Sequence, residues 1–237
     1  GHTIGLIFDA LFVVLPHASA SYKVEPGRDY TPVMLTLETA SLLNAHASLP
    51  FRDLKGLIAY AKANPGKLTF GSAGVGSTSH MYWERLMAAT GTEFTHIPYK
   101  GSGQALPDRL TGVCNMWMGA ADIRPHMDAG KLVAIASTGT QRFADYPEVP
   151  TLEEQGMQGF TLKAWAGTIA PPGTPPEIVA KLNGALNAAL KTPDVRKRMA
   201  DLGWVPIGST PEALDARIRA DLETYGPIVR KIGLKVD

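Results

Sequence analysis

Between Lys67 and His80 a short apolar run, a glycine/serine turn and a helix start follow one another with no spacer: Lys67-Leu68-Thr69-Phe70-Gly71-Ser72-Ala73-Gly74-Val75-Gly76-Ser77-Thr78-Ser79-His80. A chain punctuated in this way leaves a strand and enters a helix within a few residues, which is the step from which α/β folds are built. Apolar strand-like runs are read at Thr3–Phe8, at Val33–Thr36 and Ala40–Asn44 about a turn, and at Phe94–Ile97, Val113–Met118, Leu132–Ser137 and Ala164–Ile169. Helical patterns lie between them. Leu54, Leu57, Ile58 and Ala61 share a face that Asn64-Pro65-Gly66 ends, and Trp83, Leu86 and Met87 form a core stripe closed by Gly91. Short helices are read at Ala105–Leu110 and before Gly130. Thr174-Pro175 opens another, threonine as N-cap, with Ile178, Leu182, Leu186 and Leu190 as its buried face. Asp194–Leu202 and a helix opened by Thr210-Pro211, with Leu214, Ile218, Leu222 and Tyr225 inward, complete an α/β chain with largely parallel sheets.

The glycine/serine turn reads as an anion cradle. Glycines let backbone N–H groups approach a ligand closely, and the following helix N-terminus adds unsatisfied donors and partial positive charge. Ser72, Ser77, Thr78 and Ser79 contribute hydroxyls. Near-miss motifs fall away. Gly71–Thr78 has P-loop spacing, but Ser77 stands where the lysine must be; a dinucleotide fingerprint needs glycine at Ser79; and no serine has glycines two residues to either side. A plain strand-to-helix turn with capping serines accounts for the same residues.

With 237 residues, 45% of them hydrophobic, the chain can form one large domain or two lobes with real cores. Its formal charge of +1 and scattered basic residues, the densest group being Arg196-Lys197-Arg198, leave no footprint for nucleic acid. The single cysteine, Cys114, excludes an internal disulfide framework and a cysteine-rich metal site. The Ile4–Leu15 stretch is apolar but broken by Asp9, lacks a basic flank and is too short to span a bilayer, so no signal peptide is read and the chain reads as soluble.

Catalytic constellations are thin. His80 and Glu84 lie one helical turn apart without a third metal ligand, Glu153-Glu154 suits a helix start, and His126 and Asp128 fit the surface of a short helix. No nucleophile has an identifiable base and orienter. The residues point to binding without chemistry, with no catalytic residue, metal or cofactor.

The string from Ala61 to His80 closely resembles the solute receptors of tripartite tricarboxylate transporters, the Bug family. Further matches follow in order: His96-Ile97-Pro98-Tyr99-Lys100-Gly101-Ser102-Gly103, Ala129-Gly130-Lys131-Leu132, Val149-Pro150-Thr151 with Gly156, and Ala170-Pro171-Pro172-Gly173-Thr174-Pro175. The similarity spans essentially the whole chain. It implies a two-lobed, type II-like periplasmic binding protein of Venus-flytrap form. Such a receptor captures a small organic carboxylate and delivers it to a membrane permease. Residues 1–35 and 161–237 would form the first lobe and 36–160 the second, with two crossings as the hinge. A periplasmic location is implied by the family alone.

Three departures accompany the resemblance. The strand, proline-glycine-glycine loop, helix and second strand that usually come before the position of Gly1 are absent, so the first lobe is expected to be N-terminally incomplete and either completed by a second copy of the chain or poorly ordered, the alternative being that the sequence is a fragment. Phe8-Asp9-Ala10 replaces a glycine/threonine loop and sets an acid at the expected ligand mouth, favouring a monocarboxylate or an amine-bearing ligand over citrate-like anions. Asn115-Met116-Trp117-Met118-Gly119-Ala120 replaces a strand ending in an aromatic-aspartate pair. Carried over by position, the substrate-binding residues are Phe8, Asp9, Ser72, Ala73, Gly74, Gly76, Ser77, Thr78, Trp117, Met118, Gly119 and Trp165. The cradle backbone and the Thr78 hydroxyl would hold a carboxylate, while Trp117, Met118 and Trp165 line the rest. Trp165 equally suits a core position behind the cleft. The competing reading is an α/β enzyme acting on a small phosphorylated or carboxylated substrate; a third is a ligand-independent interaction protein.

Overall fold

The computed structural model describes residues 3–25, 27–119, 123–201 and 203–235. In chain order the elements are β1 (Gly5–Phe8), α1 (Asp9–Val13), α2 (Leu15–Ala18), β2 (Thr31–Ala40), β3 (Leu42–His46), α3 (Leu54–Ala63), β4 (Thr69–Ser72), α4 (Thr78–Thr90) and β5 (Thr95–Pro98). They continue with α5 (Ser102–Thr111), β6 (Met116–Gly119), α6 (Arg124–Asp128), β7 (Leu132–Ser137), β8 (Lys163–Ala170), α7 (Pro176–Ala189), α8 (Pro193–Asp201), β9 (Val205–Pro206) and α9 (Pro211–Lys231). They form two compact units. One comprises Gly1–Thr39 with Ala164–Asp237, the other Ala40–Lys163.

The continuous unit holds a five-stranded sheet in the order β5-β4-β6-β3-β7. β4 runs parallel to β5 and β6, whereas β3 runs antiparallel to both β6 and β7. Phe70, Trp83, Leu86, Leu54 and Leu57 are buried in its core. Its helices obey local signals. Asp53 caps α3 by accepting the Gly56 N–H at 2.7 Å, Ser77 caps α4 by accepting the His80 N–H at 3.3 Å, and Gly91 ends α4 at φ +62°.

The discontinuous unit carries a four-stranded sheet in the order β1-β8-β2-β9, with β1 antiparallel to β8 and β2 antiparallel to β9. β1 is therefore an edge strand among the described residues, with Leu6 and Phe8 on it and Ile4 just before it as exposed apolar side chains. α9 starts as its threonine-proline signal indicates, Thr210 accepting the Ala213 N–H at 3.3 Å, with Leu214, Ile218, Tyr225 and Val229 buried. Arg217 of α9 pairs with Glu38 Oε1 at 2.6 Å and Asp221 Oδ2 at 2.8 Å.

Several expectations are corrected. The sheets are mixed rather than largely parallel, because strand direction depends on which distant segment pairs, and apolar runs do not record that. β2 runs straight through the turn expected after Thr36. β6 begins at Met116; Val113, expected inside the strand, is 57% exposed. The cap of α7 is Pro175, since the Thr174 hydroxyl turns back to the Pro171 carbonyl at 2.7 Å. The expected inward face of α7 is rotated: Ile178 is 45% exposed and Val179 is buried. Asn183 fixes that rotation by donating to the Val33 and Ser209 carbonyls. Gly1, Asp237, Ala120 and Leu202, which ended expected lobes, a strand and a helix, lie outside the described residues.

Candidate anion site at the sheet edge

The parallel pairings bring several chain ends to one edge of the five-stranded sheet. Ser72 of β4 lies opposite Pro98 of β5, and Gly71 lies opposite Trp117 of β6, so the carboxyl ends of all three strands share that edge. Leu42 at the start of β3 pairs with Gly119 and with Ser137, adding the end of β7. Open α/β sheets bind ligands outside the carboxyl ends of their strands.

The loop from Ser72 to Thr78 leaves this edge and enters α4. Gly76 holds φ +79° and Gly74 φ +123°, conformations that a side chain disfavours. The loop is internally bonded. Ala73 N–H donates to Ser79 Oγ at 3.0 Å, Gly74 N–H to Ser72 Oγ at 3.1 Å, Gly76 N–H to His80 Nδ1 at 3.1 Å and Ser77 N–H to the Gly74 carbonyl at 3.2 Å. Ser72 and Ser77 hydroxyls also donate to the Gly74 carbonyl. The Gly74, Gly76 and Ser77 backbone donors, expected to face a ligand, are thus engaged by the loop and the first turn of α4. At the start of α4 the helix dipole points toward this same edge.

Behind the loop stands an aromatic stack. His80 and His96 lie face to face with centroids 4.0 Å apart and 13° between planes, and Phe70 stacks on His96 at 4.7 Å. His96 Nε2 meets Ser72 Oγ at 2.6 Å, and His80 Nε2 lies 3.6 Å from Glu84 Oε1. Burial, then the neighbouring His80, hold the His96 pKa down to about 4 against the opposing pull of Glu84. The β5–α5 loop joins the cradle through Tyr99 N–H, which donates to the Ser72 carbonyl at 3.0 Å. Tyr99 in turn donates its hydroxyl to Asp108 Oδ2 at 2.8 Å, and its pKa is raised chiefly by burial and then by that bond.

Trp117 and Met118, expected to line a ligand, are core side chains. Trp117 lies beneath Arg109, whose guanidinium carbon is 5.2 Å from the ring centre, and beside Tyr99. The buried Arg109 also donates to Asn44 Oδ1 at 3.1 Å. Gly119 ends β6 half-buried at the same edge. Ser72, Ala73, Gly74, Gly76, Ser77, Thr78 and Gly119 thus gather at one edge, with Trp117 and Met118 below it.

The other three residues belong to the discontinuous unit. Phe8 is exposed at the end of β1, opposite Ala166. Asp9 is buried at the start of α1, its Oδ1 accepting the Ala10 N–H at 2.7 Å. Trp165 is 1% exposed and donates its indole N–H to Asp221 Oδ2 at 2.7 Å, the core position the sequence also allowed. Sequence reasoning passed over His96 and Arg109 and assigned His80 only local bonds; β4–β5 pairing, which sets His96 opposite Phe70, is what assembles the stack. Among the described residues no three metal-ligating side chains converge, and no helix is long and apolar enough to cross a membrane.

Two α/β units, each with its own sheet, and a strand-to-helix glycine/serine loop are the architecture of periplasmic solute-binding proteins. The chain belongs to the tripartite tricarboxylate transporter receptor family (TctC), whose profile matches residues 1–234. It is 34% identical over 224 residues to BugT of Bordetella pertussis, covering 92% of this chain and 67% of that protein. Among solved structures it is similar to the R. palustris protein Rpa4515 with adipate, at 28% identity and TM-score 0.79 over 99% of this chain and 79% of that one. It is likewise similar to MatC of Rhodopseudomonas palustris with bound malate, at 30% identity and TM-score 0.75 over 96% and 79%. The chain spans about two thirds of the length of the curated relatives it matches first. Proteins of this family are solute receptors rather than enzymes.

Proposed function

We propose that the chain captures a small organic carboxylate in the periplasm and hands it to the permease of a tripartite tricarboxylate-type transporter. The observation that carries this reading is the glycine/serine loop entering α4 at the carboxyl edge of the sheet, where a helix of 13 residues begins. Two similar proteins, solved with adipate and with malate, support the ligand class. The start of α4 offers the positive end of its dipole to one carboxylate. The Ala40–Lys163 unit and the discontinuous unit are the two lobes, and the crossings at Thr39–Ala40 and Lys163–Ala164 are the hinge.

The test is a thermal-shift and calorimetric screen of C3 to C8 mono- and dicarboxylates that includes malate and adipate. A binder present at a hundredfold its Kd raises stability by about 2.7 kcal/mol. Gly76→Val, which forces a β-branched residue to φ +79°, is expected to weaken that binder by at least about tenfold. If no carboxylate shifts the melt while a phosphate ester is turned over, the reading fails.

A further inference from the structure

We propose that His80 and His96 are positioning residues that hold the glycine/serine loop in its anion-accepting shape only as a neutral imidazole pair, so that acidification opens the loop and releases the carboxylate. This rests on the loop being the anion site. The bond from Gly76 N–H requires a lone pair on His80 Nδ1, so the proton of the neutral ring sits on Nε2, toward Glu84. A second proton would turn Nδ1 into a donor facing the Gly76 N–H, and donor would oppose donor at 3.1 Å. The loop would then lose the bond that holds Gly76.

His96 grips the same loop from the opposite side. Its Nε2 contacts Ser72 Oγ, and that oxygen both accepts the Gly74 N–H and donates to the Gly74 carbonyl. The two rings therefore govern Gly74 and Gly76, the two positive-φ positions of the loop. Stacking at 4.0 Å, with Phe70 behind His96, leaves neither ring room to turn, and two imidazolium charges at that separation repel. Glu84, one turn along α4, is the acid facing the pair; β4 presents Phe70 and Ser72, which carry no charge. Burial and the adjacent ring already keep His96 neutral down to about pH 4. The same stack that pre-forms the loop makes it sensitive to acid.

The decisive measurement needs no ligand. In 15N-labelled protein, the Gly76 and Gly74 amides and the imidazole nitrogens are followed from about pH 7.5 to about pH 4. The Gly76 amide is expected to shift and lose exchange protection as the first proton reaches the imidazole pair, and His80→Asn, whose carbonyl can replace Nδ1 as acceptor but takes no proton, is expected to abolish that dependence. His96→Gln, which retains a donor near Nε2, is expected to shift the midpoint. Affinity for whichever carboxylate the screen identifies is expected to fall at least about tenfold over the same range in the parent protein, with a flatter slope in His80→Asn. A Gly76 amide indifferent to pH while the rings titrate, or a His80→Asn profile that tracks the parent, overturns the proposal. A screen without a binder would remove the proposed function, yet the amide titration would still decide the loop's acid sensitivity.

Discussion

Gly71 is the position where one added carbon has the most to displace. A Cβ built there would stand 2.5 Å from Trp117 Cε3, 2.6 Å from Cζ3 and 2.7 Å from Cys114 Sγ. Those neighbours have little freedom to yield: Trp117 is buried between Arg109 and Tyr99, and Cys114 is buried against the same strands. Overpacking of this kind costs about 1–3 kcal/mol. In a domain of this size each kcal/mol moves the midpoint by about 4 °C, so Gly71→Ala is expected to lower the melting of its unit by about 4–12 °C. Calorimetry of the parent, Gly71→Ala, Trp117→Leu and the double variant checks the cause as well as the sum. If the clash with the indole is responsible, the double variant recovers at least about 1 kcal/mol relative to additivity. A Gly71→Ala midpoint within about 1 °C of the parent, or strict additivity with Trp117→Leu, refutes the reasoning.

Gly184 offers the opposite case: it sits within α7 with nothing within 4 Å of a Cβ, so Gly184→Ala is expected to stabilise by about 0.5–1 kcal/mol, measured as an upward shift in the denaturation midpoint. Because the fold favours neutral His96, its contribution is full above the ordinary 6.5 and is lost as pH falls toward about 4. After allowance for partial exposure, urea unfolding should lose about 1–2 kcal/mol across that window, and His96→Gln should flatten the loss; an unchanged slope counts against the assignment. Asp221→Ala removes the acceptor shared by the Trp165 indole and Arg217 Nε and is expected to cost about 2–4 kcal/mol, with a change in tryptophan emission; a cost under about 0.5 kcal/mol would mean the network is dispensable.

The local steps of this fold were legible because they are written in neighbouring residues. Ser77 and Gly91 bracket α4 and Thr210 opens α9, each through a contact spanning only a few positions. Strand direction was not legible, since β3 finds its antiparallel partners through segments dozens of residues away. At the candidate site, the loop itself was readable from its glycines and hydroxyls. Its self-bonding was not, because Nδ1 of His80 and Oγ of Ser79 reach back across the turn only after α4 has formed. Trp117, Met118 and Trp165 show the limit for large apolar residues: the same side chain can line a ligand or fill a core, and only packing distinguishes them. His96 carried no local signal at all. Its role depends on β5 pairing with β4, which sets it against Phe70, twenty-six positions earlier in the chain.

The seam between β4 and β6 also equips the protein with a built-in clock. Cys114 is the chain's single thiol, it donates to the Met116 carbonyl at 3.4 Å, and burial pushes its pKa up to about 11. A thiol reagent needs both access and thiolate, so the closed form is inert at neutral pH and reacts only when the seam parts. Under native conditions the labelling rate, divided by that of an unfolded thiol, therefore reports how often the floor beneath the glycine/serine loop opens. No engineered probe is required to time it.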